Sequence, residues 1–233
     1  SRRQRQMCIR DRPIAMQYLA RGYQAFVLYY SIAPSRFPAA LKDAAKSMDI
    51  IRSNADMWGI DPDAIAICGF SAGGHLAASM GTMWDCEELR TCGLSGEKVR
   101  PNAMILAYPV ITAKKGYAHE GSFAALLGTE AVQHEETRNA FSLETCVNEK
   151  TPPAYIWHTA EDTGVPPMNS LLFAEALDQH KVPYSLHIFP KGNHGLSLAT
   201  AETAEGDQAY ENKDYESAIN AYTAALELDA KKD

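Results

Sequence analysis

No stretch of this chain approaches the roughly twenty consecutive apolar residues that a membrane-spanning helix needs, which excludes such a span within its 233 residues. Basic charge is also in short supply: 22 Lys and Arg stand against 29 Asp and Glu, a formal charge of -7. Phosphate binding requires a basic field, so neither nucleic acid nor a membrane is an expected partner. The cysteines are few and uneven. Cys8, Cys68, Cys86, Cys92 and Cys146 are an odd number, with no C-x-x-C and no interleaved histidine spacing, so neither a zinc site nor a full disulfide framework is indicated. Cys86 and Cys92 could bridge in an oxidising compartment, but reduced thiols are expected and a cytoplasmic location is favoured. Cys68, inside an apolar run, reads as a small core residue. What remains is ordinary for a globular protein: 46% apolar and 22% charged residues, in a chain long enough for one domain with a well-buried core.

The most informative stretch is Gly69-Phe70-Ser71-Ala72-Gly73. It follows the apolar run Ala64 to Cys68 and leads into Gly74-His75-Leu76-Ala77-Ala78-Ser79-Met80, a layout of strand, tight turn and helix. A serine on such a turn projects its hydroxyl from the end of a sheet, and the glycines on either side let the backbone bend without a Cβ clash. The pentapeptide alone arises by chance in somewhat under a tenth of chains this long, and Ser71 could be a helix N-cap. Context decides. A serine nucleophile predicts a carboxylate and then a histidine later in the chain. Asp162 follows the apolar run Ala154 to Trp157, and His194 follows Leu186 to Phe189. Each lies on a loop at the carboxyl end of an expected strand, where parallel-sheet enzymes gather reacting groups. Glu161 competes with Asp162 for the acid role. His158 and His187 fall in or at the end of strands and read as packed, hydrogen-bonded residues. His119, His134 and His180 stand in polar surroundings and read as solvated.

Along the chain, helix and strand alternate. Helices are expected over Pro13 to Arg21, Pro38 to Met57, the stretch after Ser71 to about Met83, and Pro167 to His180. Strands are expected over Gln24 to Tyr30, Ala64 to Cys68, Ala103 to Tyr108, Ala154 to Thr159 and Ser185 to Phe189. Such alternation predicts an α/β fold, a mostly parallel sheet with helices on both faces. The stretch between Tyr108 and Pro152 is the natural place for a cap that shapes substrate selectivity.

Six motifs in order carry a family likeness: Tyr30-Ser31-Ile32-Ala33-Pro34, Gly59-Ile60-Asp61-Pro62, the Ser71 turn with its trailing Gly74-His75, Tyr108-Pro109-Val110-Ile111, the Asp162 segment and the His194 loop. From about Pro13 to Leu198 the chain resembles the α/β-hydrolase esterases, and among them the short-chain esterase and acetyl-xylan or feruloyl esterase-like group. The resemblance implies that Ser71 is the nucleophile, His194 the general base and Asp162, rather than Glu161, the orienting acid, with His75 in a structural role beneath the site. A serine hydroxyl is a poor nucleophile near neutral pH, so the base must take its proton and return it to the leaving alcohol. The backbone N–H of Ala72, opening the next helix, would donate to the oxyanion. The implied substrates are short acyl esters, acetylated carbohydrate first among them, with no cofactor or metal. Serine peptidases of the same fold share this triad and order, but the neighbours of Ser71 resemble the esterase group.

Both ends depart from the family pattern. Its members carry early strands before the helix at Pro13, with a His-Gly-Gly or Gly-Gly-Gly loop that supplies further oxyanion donors. Here residues 1–12 are arginine-rich, with no apolar run after them such as a signal peptide needs. They read as a non-native or disordered arm, or as a basic arm for nucleic acid, and the hydrolase domain, 13–198, is expected to be truncated at its N-terminus. Gln24 to Tyr30 should then pair directly with Ala64 to Cys68 or be left a poorly paired edge. Residues 199–233 resemble one tetratricopeptide repeat, with Gly206, Tyr215, Ala218, Tyr222 and Ala225 at its small and aromatic positions. A helical hairpin is expected there. It either replaces the family's last covering helix or, since one repeat cannot bury its own apolar face, engages a protein partner. In that second case the hydrolase half could be catalytically impaired and the chain a binding module.

Overall fold

Four short apolar runs, each entered through proline, glycine or polar residues, pair side by side as parallel strands: β1 (Ala66–Phe70), β2 (Ala103–Ala107), β3 (Ala154–Thr159) and β4 (Tyr184–Phe189), in that spatial order. The computed structural model describes residues 12–196. The expected arm and the repeat-like hairpin over 199–233, with its protein partner, lie outside the described residues. β3 coincides with its sequence-based range, and β2 stops one residue early because Tyr108 turns to φ 36°. β1 begins two residues later than expected and runs through Gly69 to Phe70, which pairs with Ala107.

Helix α1 covers residues 12–20. It is followed by α2 (Ala39–Ser53), α3 (Ala55–Trp58), α4 (Ala72–Thr82), α5 (Glu87–Arg90), α6 (Glu120–Leu127), α7 (Glu135–Asn139) and α8 (Met168–Gln179). The single helix expected over Pro38 to Met57 is interrupted at Asn54. There the side-chain amide donates back to the Ile50 carbonyl at 2.7 Å, the local competition with helical bonding that disfavours asparagine inside helices.

Pleating sends Met104 and Leu106 of β2, Ile156 of β3 and Leu186 of β4 to one face of the sheet, where α4 and α8 cover them. Ala77, Ala78, Phe173, Ala174 and Leu177 complete this core, and burying each large apolar side chain stabilises by about 1.5–3 kcal/mol. A second cluster seats α2 on the outside of α4 through Leu41, Ala45, Met48 and Met80. The opposite face is covered more thinly. Tyr18 of α1 lies against Cys68 and Tyr155 there, and burial with these neighbours pushes its hydroxyl up to about 12. Tyr155 keeps 42% exposure and Phe189 48%. Helices thus lie on both faces as expected, but unequally, and Cys68 is exposed rather than a core residue because β1 turns it to the thinly covered side.

Gln24 to Tyr30 is not a strand and does not pair with β1, which corrects the expected strand and its direct pairing; of the two alternatives the unpaired one matches, with β1 at the edge of the described sheet. The segment is held by side-chain contacts instead. Phe26 packs on Trp58 of α3 at 5.4 Å between ring centroids, and the Ser31 N–H donates to the Asp43 carboxylate of α2 at 2.7 Å. The stretch after β2 folds onto the body through Val110, Phe123, Val132, Phe141 and Val165, joined by Phe37. A cleft of about 540 Å³ opens on it beside Lys114, Lys115 and Arg138, and none of the three candidate residues Ser71, Asp162 and His194 lines that cleft.

Candidate active site

Ser71 occupies the single residue between β1 and α4, at φ 54° and ψ −120°. A non-glycine residue at positive φ costs on the order of 1–3 kcal/mol and persists only where its surroundings over-determine it. Here they do. The Ser71 N–H donates to the Ala107 carbonyl at 3.0 Å, and its own carbonyl accepts from His75 and Val110, both at 3.1 Å. The serine itself therefore carries the unusual backbone angle, while the glycines provide room. A Cβ on Gly69 would fall on the Gly73 carbonyl and within 2.8 Å of Ala77 Cβ. One on Gly74 would lie 2.8 Å from Pro109 Cβ. At Gly73, by contrast, the nearest atom is the Tyr30 hydroxyl at 3.8 Å, so the expectation of a clash on both sides of the serine holds for Gly69 and moves from Gly73 to Gly74.

Ser71, Asp162 and His194 meet at the carboxyl ends of the strands. Ser71 Oγ lies 2.7 Å from His194 Nε2, and His194 Nδ1 lies 2.6 Å from Asp162 Oδ2. The serine hydroxyl makes no capping bond to α4, which removes the helix-cap alternative. Asp162 is 4% exposed, and its Oδ1 accepts the N–H groups of Gly164 at 2.9 Å and Val165 at 2.8 Å. Burial alone would push this carboxyl up. Hydrogen bonds from His158, His194 and Val165 overcome that and hold it well below the usual carboxylate range. Glu161, the competing acid, is exposed and accepts the Gly192 N–H at 3.3 Å. Ala72 is the first residue of α4, and the N–H at that position has no intrahelical acceptor.

The other histidines divide differently from the sequence reading. His158 is fully buried and hydrogen-bonded, as expected, and one of its neighbours is Asp162 itself, at 3.2 Å. His75 is buried beneath the serine turn and donates from Nδ1 to the Val110 carbonyl at 3.1 Å. Burial lowers its pKa to about 4. His187 is exposed on the thinly covered face of the sheet, yet its ring lies 5.2 Å from that of Tyr155 and it keeps a 2.9 Å bond to Ser185. His119 is not simply solvated: its Nδ1 accepts the Ser122 N–H and caps α6. His134 and His180 are exposed, as expected.

Two residues at the site were given no role in the sequence reading, one of them inside a quoted motif. Tyr108, at positive φ, sets its ring 5.0 Å from the His194 imidazole, edge to face. It heads the motif Tyr108-Pro109-Val110-Ile111, between an apolar run and a proline, but nothing there pointed to contact with His194. Asn169, fully buried at the start of α8, accepts the N–H groups of Ile111 and Thr112 at 2.8 and 3.0 Å and so holds the chain leaving β2. Nothing local distinguishes it. Chemically, a hydroxyl bonded to an imidazole that is in turn bonded to a buried carboxylate can lose its proton as it attacks an acyl carbon. Among the described residues no group of three or more His, Cys, Asp or Glu is placed to hold a metal ion.

Comparison with known proteins identifies the family and the fold. The model of the BD-FAE family matches residues 2–177. Endo-1,4-beta-xylanase B of Butyrivibrio fibrisolvens is 39% identical over 196 residues, 82% of this chain and 30% of the relative. Acetylxylan esterase of Xylanibacter ruminicola is 32% identical over 77% of this chain and 35% of its own length. The chain thus spans about a third of the length of these curated relatives. Among solved structures, an acetyl ester-xyloside bifunctional hydrolase from Caldicellulosiruptor lactoaceticus superposes with a TM-score of 0.69 at 38% identity, covering 87% of this chain and 76% of that one. The fold is that of the α/β-hydrolases.

Proposed function

Since this chain belongs to the BD-FAE family of α/β-hydrolase esterases, we propose that it is a serine carboxylesterase that removes short acyl groups, acetyl groups on carbohydrate foremost. The observation that carries the reading is the continuous hydrogen-bonded run from Ser71 through His194 to Asp162, at 2.7 and 2.6 Å. Ser71 Oγ attacks the acyl carbonyl while His194 Nε2 takes its proton. The buried Asp162 carboxylate stabilises the imidazolium that forms. The carbonyl oxygen, now negative, accepts the Ala72 N–H at the positive end of α4. Collapse expels the alcohol, which leaves with the proton from His194. Water then repeats the sequence on the acyl-serine, with His194 again taking and returning the proton, and the carboxylic acid leaves. Carbohydrate as the alcohol is supported by what the similar proteins are named for: xylanase, acetylxylan esterase and acetyl ester-xyloside hydrolase.

Turnover of p-nitrophenyl acetate and of acetylated xylan, each compared with Ser71→Ala, tests the proposal. Release of acetate from both, abolished in the variant, is the expected result. Acetate release that survives Ser71→Ala would overturn the mechanism, and activity on the chromogenic ester alone would overturn the carbohydrate assignment.

A further inference from the structure

The hydrogen-bonded run does not end at Asp162. Its Oδ2, the oxygen that accepts from His194, also lies 3.2 Å from Nε2 of His158, and both side chains are completely buried. His158 Nε2 is 2.9 Å from the Val165 carbonyl as well. A ring nitrogen facing a carboxylate and a carbonyl, both acceptors only, must carry its hydrogen and donate it. On the far side of the ring, Nδ1 lies 2.8 Å from the hydroxyl of Ser170, itself wholly buried on α8. The imidazole is therefore clamped between helix and carboxylate.

The two histidines on Asp162 differ in their mounting. His194 sits on a loop with its side chain 26% exposed, whereas His158 projects from β3 into the core between sheet and α8. Gly164 and Val165 pin Oδ1 from the same loop that carries Asp162. Among the described residues, only His158 ties Oδ2 to the sheet. We infer that His158 is a positioning residue that fixes Oδ2 of Asp162 in the direction His194 needs. The inference rests on the esterase reading above. Without His158 the carboxylate keeps its two amide bonds but can pivot about them, and the imidazole that depends on Oδ2 loses its aim.

The test compares His158→Met with His158→Gln. Both replacements are unbranched and of similar bulk, but only glutamine has an N–H that can reach Oδ2. Rates are referred to the number of serines that react in an active-site titration, so that a smaller folded fraction does not count as slower chemistry. His158→Met should lower kcat on p-nitrophenyl acetate by about tenfold to a hundredfold, the scale on which losing an outer hydrogen-bond partner lowers activity at metal sites, with KM little changed. His158→Gln should recover most of it. The downfield proton resonance of the His194–Asp162 hydrogen bond, which needs no turnover to be seen, should broaden through solvent exchange in His158→Met and stay sharp in His158→Gln. Wild-type kcat and a sharp resonance in His158→Met, or an equal loss of both in the two variants, would overturn the inference. If His158→Met does not fold, Ser170→Ala takes its place. Releasing the ring from α8 should lower kcat in the same sense, and an unchanged kcat with a sharp resonance would be equally fatal. Turnover that survives Ser71→Ala sinks the esterase reading instead, and leaves the resonance to judge His158.

Discussion

Lowering the pH from 7 to 4 should cost this protein stability through one residue, His75. Its ring is buried under the serine turn, with Nδ1 on the Val110 carbonyl and the Phe123 ring 5.5 Å away, while Nε2 has no partner among the described residues. Burial disfavours the imidazolium more than the Val110 carbonyl and the Glu144 carboxylate favour it, which brings the pKa down from 6.5 to about 4. In the unfolded chain the same ring takes up its proton near pH 6.5. Between those two values the unfolded state holds more protons than the folded one, so stability rises with pH across the window and falls as acid is added. Two and a half units at 1.36 kcal/mol each amount to about 3 kcal/mol, or roughly 6–12 °C of Tm for a domain of this size. Urea unfolding at pH 7, 6, 5 and 4 would measure it. The control is His75→Asn, whose amide can stand in for the Nδ1 donor to Val110 but does not titrate. It should be less stable than wild type at pH 7 and lose less on the way to pH 4, the two stabilities converging by about 3 kcal/mol. Asp162 does not confuse the comparison. Its depressed carboxyl gives stability that is complete above the unfolded value near 3.9 and is lost only as pH falls further. Parallel pH dependence in the two proteins would refute the reasoning about His75.

Gly69→Ala and Gly73→Ala should part company despite their symmetric places around Ser71. The first sets a methyl on the Gly73 carbonyl and should destabilise or abolish the fold, while the second finds open room and should leave stability unchanged or raise it by about 0.4–1 kcal/mol, as read by urea denaturation. Asp162→Asn should lower kcat by about 10⁴ through loss of the correct imidazole tautomer, measured per titrated serine. Phe173→Ala, at a side chain with no exposure, should cost about 3–5 kcal/mol in the same unfolding assay and leave the kcat of the folded fraction unchanged.

The elements whose residues carry their own periodicity were legible in the sequence. Ala154 to Trp157 is an apolar run carried on by His158 and Thr159 to a polar turn, and the expected strand Ala154 to Thr159 matches residue for residue. The serine turn was legible because glycine, serine and small helix residues are local necessities of that bend. Gln24 to Tyr30 misled because aromatic and β-branched residues describe a surface that packs, not a ladder that forms; Phe26 finds Trp58 and Ser31 finds Asp43 instead. Cys68 misled because an apolar run does not say which of its faces a helix will cover. At the site, loop position and order made candidates of Ser71, His194 and a carboxylate at Glu161 or Asp162, and only the family resemblance preferred Asp162. The contacts that hold them could not, since His158 to Ser170, Asn169 to Ile111 and Tyr108 to His194 join residues that only the folded sheet brings together.

Reaction of the purified chain with a fluorophosphonate, read by intact mass and peptide mapping, tests the central claim most directly. One adduct on Ser71, abolished in Ser71→Ala and strongly slowed in His194→Ala, is the predicted result. Labelling that ignores His194, or an adduct on a serine other than Ser71, would contradict it.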